Sequence, residues 1–187
     1  MSGSINKDFI PQRGNYKKLV AYQVAECIYD ITYYFAHKFL SCGDRTIDQM
    51  VQAARSGKQN IAEGSAAATT SRETELKLTN VAKASLQELL IDYEDYLRVR
   101  ELEQWPTDSE KSQQTRRYCA THNDAASYRD AIKTRSDETV ANIAITLIHQ
   151  ADFLLMNLIE HQKREFLSNG GIREEMTRAR INERNKQ

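Results

Sequence analysis

The stretch DQMVQAARSGKQNIAEG, from Asp48 to Gly64, decides the fold. It reads as one helix made largely of small residues. Ile47, Met50, Val51, Ala54, Gly57, Lys58 and Ile61 recur by three and four, which places them on its inner side. A glycine inside a helix costs about 1 kcal/mol against alanine. Gly57 is therefore expected where a neighbouring helix comes too close for a Cβ. Helix is expected over 45–63, with Gly64 as its stop.

Upstream, residues 15–40 carry Tyr22, Ala25, Tyr29, Thr32, Ala36 and Phe39 at the spacing of one helix face. Ile28 and Phe35 widen that face. Gly43 is expected to end this helix, and Asp44 to cap the next. Residues 1–14, ending in Pro11 and Gly14, read as a flexible lead-in.

Downstream, the short linker SAAATTS leads to Thr70 and Glu73, the spacing of a capping box. Helix is expected from there to about Arg100. Leu78, Ala82, Ser85, Leu89, Tyr93 and Tyr96 make its stripe, broadened by Leu86, Leu90 and Leu97. A helix of ~30 residues is ~45 Å long and needs partners of similar length. Trp105–Pro106 breaks the pattern. An insertion follows over about 103–136, polar and weakly periodic from residue 107, with a short helix from a Thr107–Glu110 cap to about Cys119. Ser136 then caps a helix over 137–167, with a heptad stripe of Val140, Ala144, Leu147, Ala151, Leu154 and Leu158. Gly170–Gly171 stops it. Residues 170–187 read as a basic, helix-prone suffix.

Composition agrees with an all-α chain. Only 7 glycines and 2 prolines interrupt 187 residues. The predicted architecture is an antiparallel, up-down-up-down four-helix bundle over 15–169, with a partly helical insertion and a short helical suffix. Lys plus Arg and Asp plus Glu number 26 each, so a nucleic-acid surface requires local clustering of charge. Three widely spaced cysteines, Cys27, Cys42 and Cys119, form no disulfide framework and suit a reducing cytoplasm. The N-terminus lacks a signal-peptide core, and no stretch reads as a membrane span.

The segments QMVQAARSGKQNIAEGS and ELKLTNVAKASLQELLIDYEDYL resemble the four-helix-bundle family of 23S rRNA intervening-sequence proteins. That superfamily includes the accessory variability determinant proteins of diversity-generating retroelements. The shared pattern is Asn60–Ile61–Ala62–Glu63–Gly64, then Ala84–Ser85–Leu86 and Glu88–Leu89. It covers about 16–102 well and 141–158 loosely. The YEDYLRVRELEQW exit and the GGIREEMTRARINER tail are similar to bacterial members with a suffix domain. The resemblance implies a homo-oligomer, typically a five-membered ring, that binds RNA or a nucleoprotein.

Basic residues are the candidate contacts. They are Lys17 and Lys18 after the lead-in (with Lys7 and Arg13), Arg45, Arg55 and Lys58 on the second helix, Arg116 and Arg117 in the insertion, and Arg178, Arg180 and Arg184 in the suffix (with Arg173 and Lys186). Residues 107–136 and the suffix each carry two more basic than acidic residues. Assembly would multiply these charges into a rim. The same charges also suit ordinary solvated helix faces. Asn60 and Glu63 fit either a partner contact or helix-end bonding.

Catalytic and metal chemistry find no motif. No Glu stands three residues before any histidine, which argues against a di-iron bundle. Cys119 and His122 have the spacing of half a zinc site only. His149 and Asp152 suit an ordinary hydrogen bond better than a general base. Glu88 and Asp92 share a face where a Lys or Arg from another helix or subunit would pair. Tyr33 and Tyr34 fall partly outside the first helix's stripe and are better interface candidates than Tyr29. No cofactor and no small-molecule substrate is expected.

Overall fold

The computed structural model describes residues 15–185. Among them the chain is all-helical, with no strand. The elements are α1 (Val20–Phe39), α2 (Thr46–Ala67), α3 (Arg72–Val99), α4 (Glu110–Thr121), α5 (Ala126–Arg129), α6 (Asp137–Asn169) and α7 (Ile172–Arg184), with 3-10 turns at Tyr16–Lys18 and Ile132–Thr134. The lead-in, with Lys7 and Arg13, lies outside the described residues, as do Lys186 and the side chain of Arg173.

The four long helices contact one another in sequence. α1 meets α2 and α6, and α3 meets α2 and α6. Their inward faces form one core, centred on Val24, Ile28, Phe35, Met50, Leu86, Leu89, Tyr93, Leu147, Ile148 and Leu155. Phe35 anchors an aromatic group, 5.0 Å from Tyr93 and 4.7 Å from Tyr96 between ring centroids. The Tyr93 hydroxyl donates to Thr32 Oγ1 at 3.0 Å, so the buried oxygen is satisfied.

The α2–α3 contact is built on glycine. A Cβ on Gly57 would lie 2.6 Å from Leu86 Cδ2 and 2.8 Å from Cγ. Leu86 is 1% exposed and has nowhere to retreat. The expectation of a close-packed partner at Gly57 holds.

Gly64 corrects the expected stop. α2 runs on to Ala67, and Gly64 is buried inside it. Its φ is not positive, so it is no left-handed cap. A Cβ there would meet Glu75 O at 3.4 Å and Leu78 Cβ at 3.5 Å, so Gly64 is a second close-packing position, looser than Gly57. Termination falls to the next residues. The amides of Thr70 and Ser71 both donate to Ala67 O, at 2.9 and 2.7 Å.

Two caps also move. Thr70 Oγ1 donates back to Ala67 O and finishes α2, while Ser71 Oγ accepts from the Thr74 amide and starts α3. In the insertion Ser109, not Thr107, caps α4 by accepting from the Ser112 amide at 3.2 Å. Ser136 caps α6 as expected, and the Asp44 carboxylate takes the Thr46 amide at 2.9 Å. α3 ends with Glu101 at φ 56°, where the Leu102 amide donates to Leu97 O at 2.9 Å.

α6 corrects the membrane reading of the sequence. Over 137–168 it is long and apolar enough to cross a membrane by length and composition, but more than half of its most apolar 18 residues are buried inside the molecule. It touches α1, α3 and α4, so its apolar residues face several neighbours. The insertion folds back over the α1–α6 side, with α4 on α6 and α5 on α1.

Candidate nucleic-acid interface

The ten basic candidates sit on separate elements. Lys17 and Lys18 end the first 3-10 turn, which packs on α1 and α2, and both are exposed. Arg45 is exposed at the α2 N-terminus and Arg55 midway along α2. Lys58 is half-buried, with its ammonium 4.2 Å from the Tyr29 ring centroid. That cation–π contact gives Lys58 a place within the α1–α2 contact. Arg117 is exposed on α4; its neighbour Arg116 donates to Thr107 O, stapling α4 to the loop before it. On α7, Arg180 and Arg184 are exposed and four residues apart, hence on one face, while Arg178 points to the other side. The structure thus brings Lys17, Lys18 and Lys58 to the α1–α2 side and pairs Arg180 with Arg184. It does not gather the ten into one patch within a single chain.

The signature at the end of α2 is structural. Asn60 Nδ2 donates to Ser56 O at 2.9 Å and to Ser56 Oγ at 3.1 Å, and Ser56 Oγ meets Ser85 Oγ of α3 at 2.9 Å. Asn60 therefore steadies a hydroxyl bridge between α2 and α3. Glu63 is exposed.

Other candidates resolve locally. His122 stacks on Tyr118 with ring centroids 3.9 Å apart, and its Nδ1 lies 2.9 Å from Tyr118 O. Cys119 is buried beside Tyr128, and burial raises its thiol pKa. Among the described residues no three His, Cys, Asp or Glu side chains are placed to hold a metal ion. Asp152 corrects the His149 pairing. Its carboxylate accepts from Gln87 Nε2 at 2.9 Å and faces Lys83 Nζ at 3.2 Å, which ties α6 to α3. Glu88 and Asp92 have no ion-pair partner among the described residues. Burial, with Asp95 and Glu88 nearby, raises the Asp92 pKa. Tyr33 is exposed, whereas Tyr34 is covered by the insertion, its hydroxyl 3.5 Å from Lys133 O.

Asn142 is a residue the sequence reading passed over. It is 3% exposed on α6. Its Oδ1 accepts from the Trp105 amide at 2.8 Å, and its Nδ2 donates to Glu103 O and Glu138 O at 2.8 and 2.9 Å. It clamps the loop between α3 and α4 to α6. The signal was a lone amide inside the apolar run VANIAITLI. Beside the clamp, α4 and α6 enclose a cleft of about 650 Å³.

No family model, curated protein or solved structure matches the chain.

Proposed function

We propose that α1, α2, α3 and α6 form an antiparallel, up-down-up-down four-helix bundle that self-assembles and presents basic residues to RNA or a nucleoprotein, without catalysis. The resemblance to 23S rRNA intervening-sequence proteins supports this reading and favours a ring of five. The observation that carries assembly is the outward surface of α3. Val81, Ile91 and Val99 are 46%, 57% and 62% exposed; Ile91 faces away from the core residues Ala82, Leu86, Leu89 and Tyr93, while Val81 and Val99 share one flank of the helix. Single exposed apolar residues are ordinary, and these three, with the exposed charges between them, make a mixed apolar and charged surface that suits a second copy. Glu88 lies exposed on that surface without an ion-pair partner among the described residues and suits a basic neighbour, whereas Asp95 already pairs with Arg98 at 2.6 Å.

Assembly supplies the clustering that one chain lacks. A ring repeats the Arg180–Arg184 pair and the Lys17–Lys18 turn once per subunit. Phosphate contacts of this kind position a nucleic acid without reading its sequence. A second reading is a protein–protein oligomer with no nucleic-acid role. It is favoured by the dispersal of the basic side chains, and by Lys58 already having a local partner.

Light scattering on the eluting protein tests assembly first: a multimer is expected, and a monomer overturns the reading. An RNA gel shift at rising salt tests the rest. Binding should fall steeply with salt through counterion release. The triple variant Arg178→Glu, Arg180→Glu, Arg184→Glu should assemble normally and lose the shift. Assembly without any shift at low salt selects the protein–protein reading.

A further inference from the structure

The cleft between α4 and α6 has features that packing alone does not require. Trp105, Ile145, Phe153 and Leu154 give it apolar walls, and Val20 of α1 closes one side. No acidic residue lines it, whereas Arg116 does, and His149 stands on the α6 wall. Arg116 has no carboxylate partner among the described residues; a loop carbonyl is its only hydrogen-bond acceptor there. Arg116 is solvent-exposed, so the mouth of the cleft carries a positive charge with no counter-charge of its own.

Its polar atoms are also incompletely paired. Among the described residues, three buried side-chain atoms lack a hydrogen-bond partner, and two of them belong to residues of this cleft: Trp105 Nε1, a donor, and Gln150 Oε1, an acceptor. An unpaired buried polar atom costs about 1–3 kcal/mol, so native proteins rarely keep two together without a partner for them. The Asn142 clamp holds the Trp105 backbone in place, and Gln150 Nε2 reaches Asn123 Oδ1 at 3.5 Å. Both unpaired atoms are shut off from solvent, so a ligand meets them as the Trp105 and Gln150 side chains turn at the cleft wall. At about 650 Å³ the cleft has the size of a small-molecule site, for which ~300–1,000 Å³ is usual.

We propose that this cleft binds a planar aromatic monoanion that carries an N–H or O–H donor. The ring system lies against Trp105, Ile145 and Phe153. The anionic group takes Arg116 and the Trp105 indole N–H. The donor satisfies Gln150 Oε1. The site lies between the insertion and α6, so ligand binding fastens the insertion to the core helices.

Trp105 is the chain's one tryptophan; it also borders a second pocket with Lys111 and Tyr118, and Arg116 and Ala120, which line only the α4–α6 cleft, assign the signal between the two. The probe is 6-hydroxy-2-naphthoate, a planar aromatic monoanion whose O–H donor is remote from its carboxylate, titrated into the full chain. Saturable binding of one probe per chain, with energy transfer from Trp105, is expected. Arg116→Gln should weaken it at least about tenfold, equivalent to about 1.4 kcal/mol. Ala120→Phe, at an exposed position on the cleft wall, should abolish it while helix content by circular dichroism stays unchanged. Arg117→Gln removes the same charge one residue away, outside the cleft, and should leave binding unchanged. Three outcomes overturn the proposal: no saturable binding at millimolar probe, binding indifferent to Ala120→Phe and Arg116→Gln, or equal weakening by Arg117→Gln.

Discussion

The α2–α3 contact and the α4–α6 contact are built on opposite principles. Along α2, Gly57 and Gly64 remove side chains so that α3 can approach, and Leu86 fills the space at Gly57. Ser56, Asn60 and Ser85 close the polar part of that seam. Between α4 and α6, by contrast, Arg116 and Ala120 of α4, Asn123 just after it and Gln150 of α6 leave a cleft, and buried polar atoms beside it stay unpaired. The first contact specifies geometry by exclusion of space. The second leaves space whose chemistry invites a ligand.

This difference can be broken by mutation, and the largest effect is expected at Gly57. Gly57→Val drives two methyl groups toward a buried Leu86 and adds a β-branched residue to a helix interior. Overpacking of this kind costs about 3 kcal/mol or more at a site with no room to relax. Chemical denaturation should show the midpoint falling with little change in slope. A loss under 1 kcal/mol would mean that the seam yields easily.

Asn142→Ala tests the other side. It removes three hydrogen bonds and leaves the Trp105 amide unpaired, for a loss of about 2 kcal/mol. The readout specific to the clamp is Trp105 emission, which should shift to the red as the loop leaves α6. An unshifted spectrum would mean that the loop is held by other contacts.

Gly64→Ala sharpens the seam itself. Its nearest neighbours lie at 3.4–3.6 Å, ordinary contact distance for a Cβ. The helix-propensity gain of up to about 1 kcal/mol then decides the sign, and the variant should melt at or slightly above the parent temperature. Destabilisation would show that the seam is as tight at Gly64 as at Gly57.

The smallest effect is electrostatic, at Asp92 on the outer side of α3. Burial and the neighbouring Asp95 and Glu88 raise its pKa in the folded chain. The folded state then holds its proton more tightly than the unfolded chain, so this residue costs stability once pH rises above the carboxylate range. Asp92→Asn should add a few tenths of a kcal/mol at neutral pH, a small value because solvent screens a half-exposed group. The gain should vanish as pH falls below the unfolded pKa. A gain that persists in acid would trace to packing.

The long helices were legible because their apolar spacing is a direct record of what they bury. The stripes of α3 and α6 predicted most of their core residues, and Gly57 predicted a close neighbour; the α1 stripe was offset, with Tyr22, Tyr29 and Phe39 half-buried and the fully buried Val24, Cys27 and Ile31 passed over. The misses have physical causes. Gly64 carries no sequence mark that separates a buried glycine from a stop. Thr70, Ser71, Thr107 and Ser109 all offer capping hydroxyls, and the tertiary chain path chooses among them. Asp152 turned toward Lys83 and Gln87 of α3, a contact that local spacing with His149 could not reveal. The insertion is polar and aperiodic, so neither its return onto α1 and α6 nor the cleft beneath it could be read. The candidate basic residues were identifiable one by one, but their dispersal over the surface is a property of the fold.

Native-state hydrogen exchange tests the contrast between the two contacts most directly. The α2 and α3 amides at the Gly57–Leu86 seam should exchange only through global unfolding. The α4 amides should exchange through a local opening of lower free energy, because their helix rests on one long helix beside an open cleft. Equal opening free energies for α4 and α2 would contradict the account, since the insertion and the core helices would then be one cooperative unit.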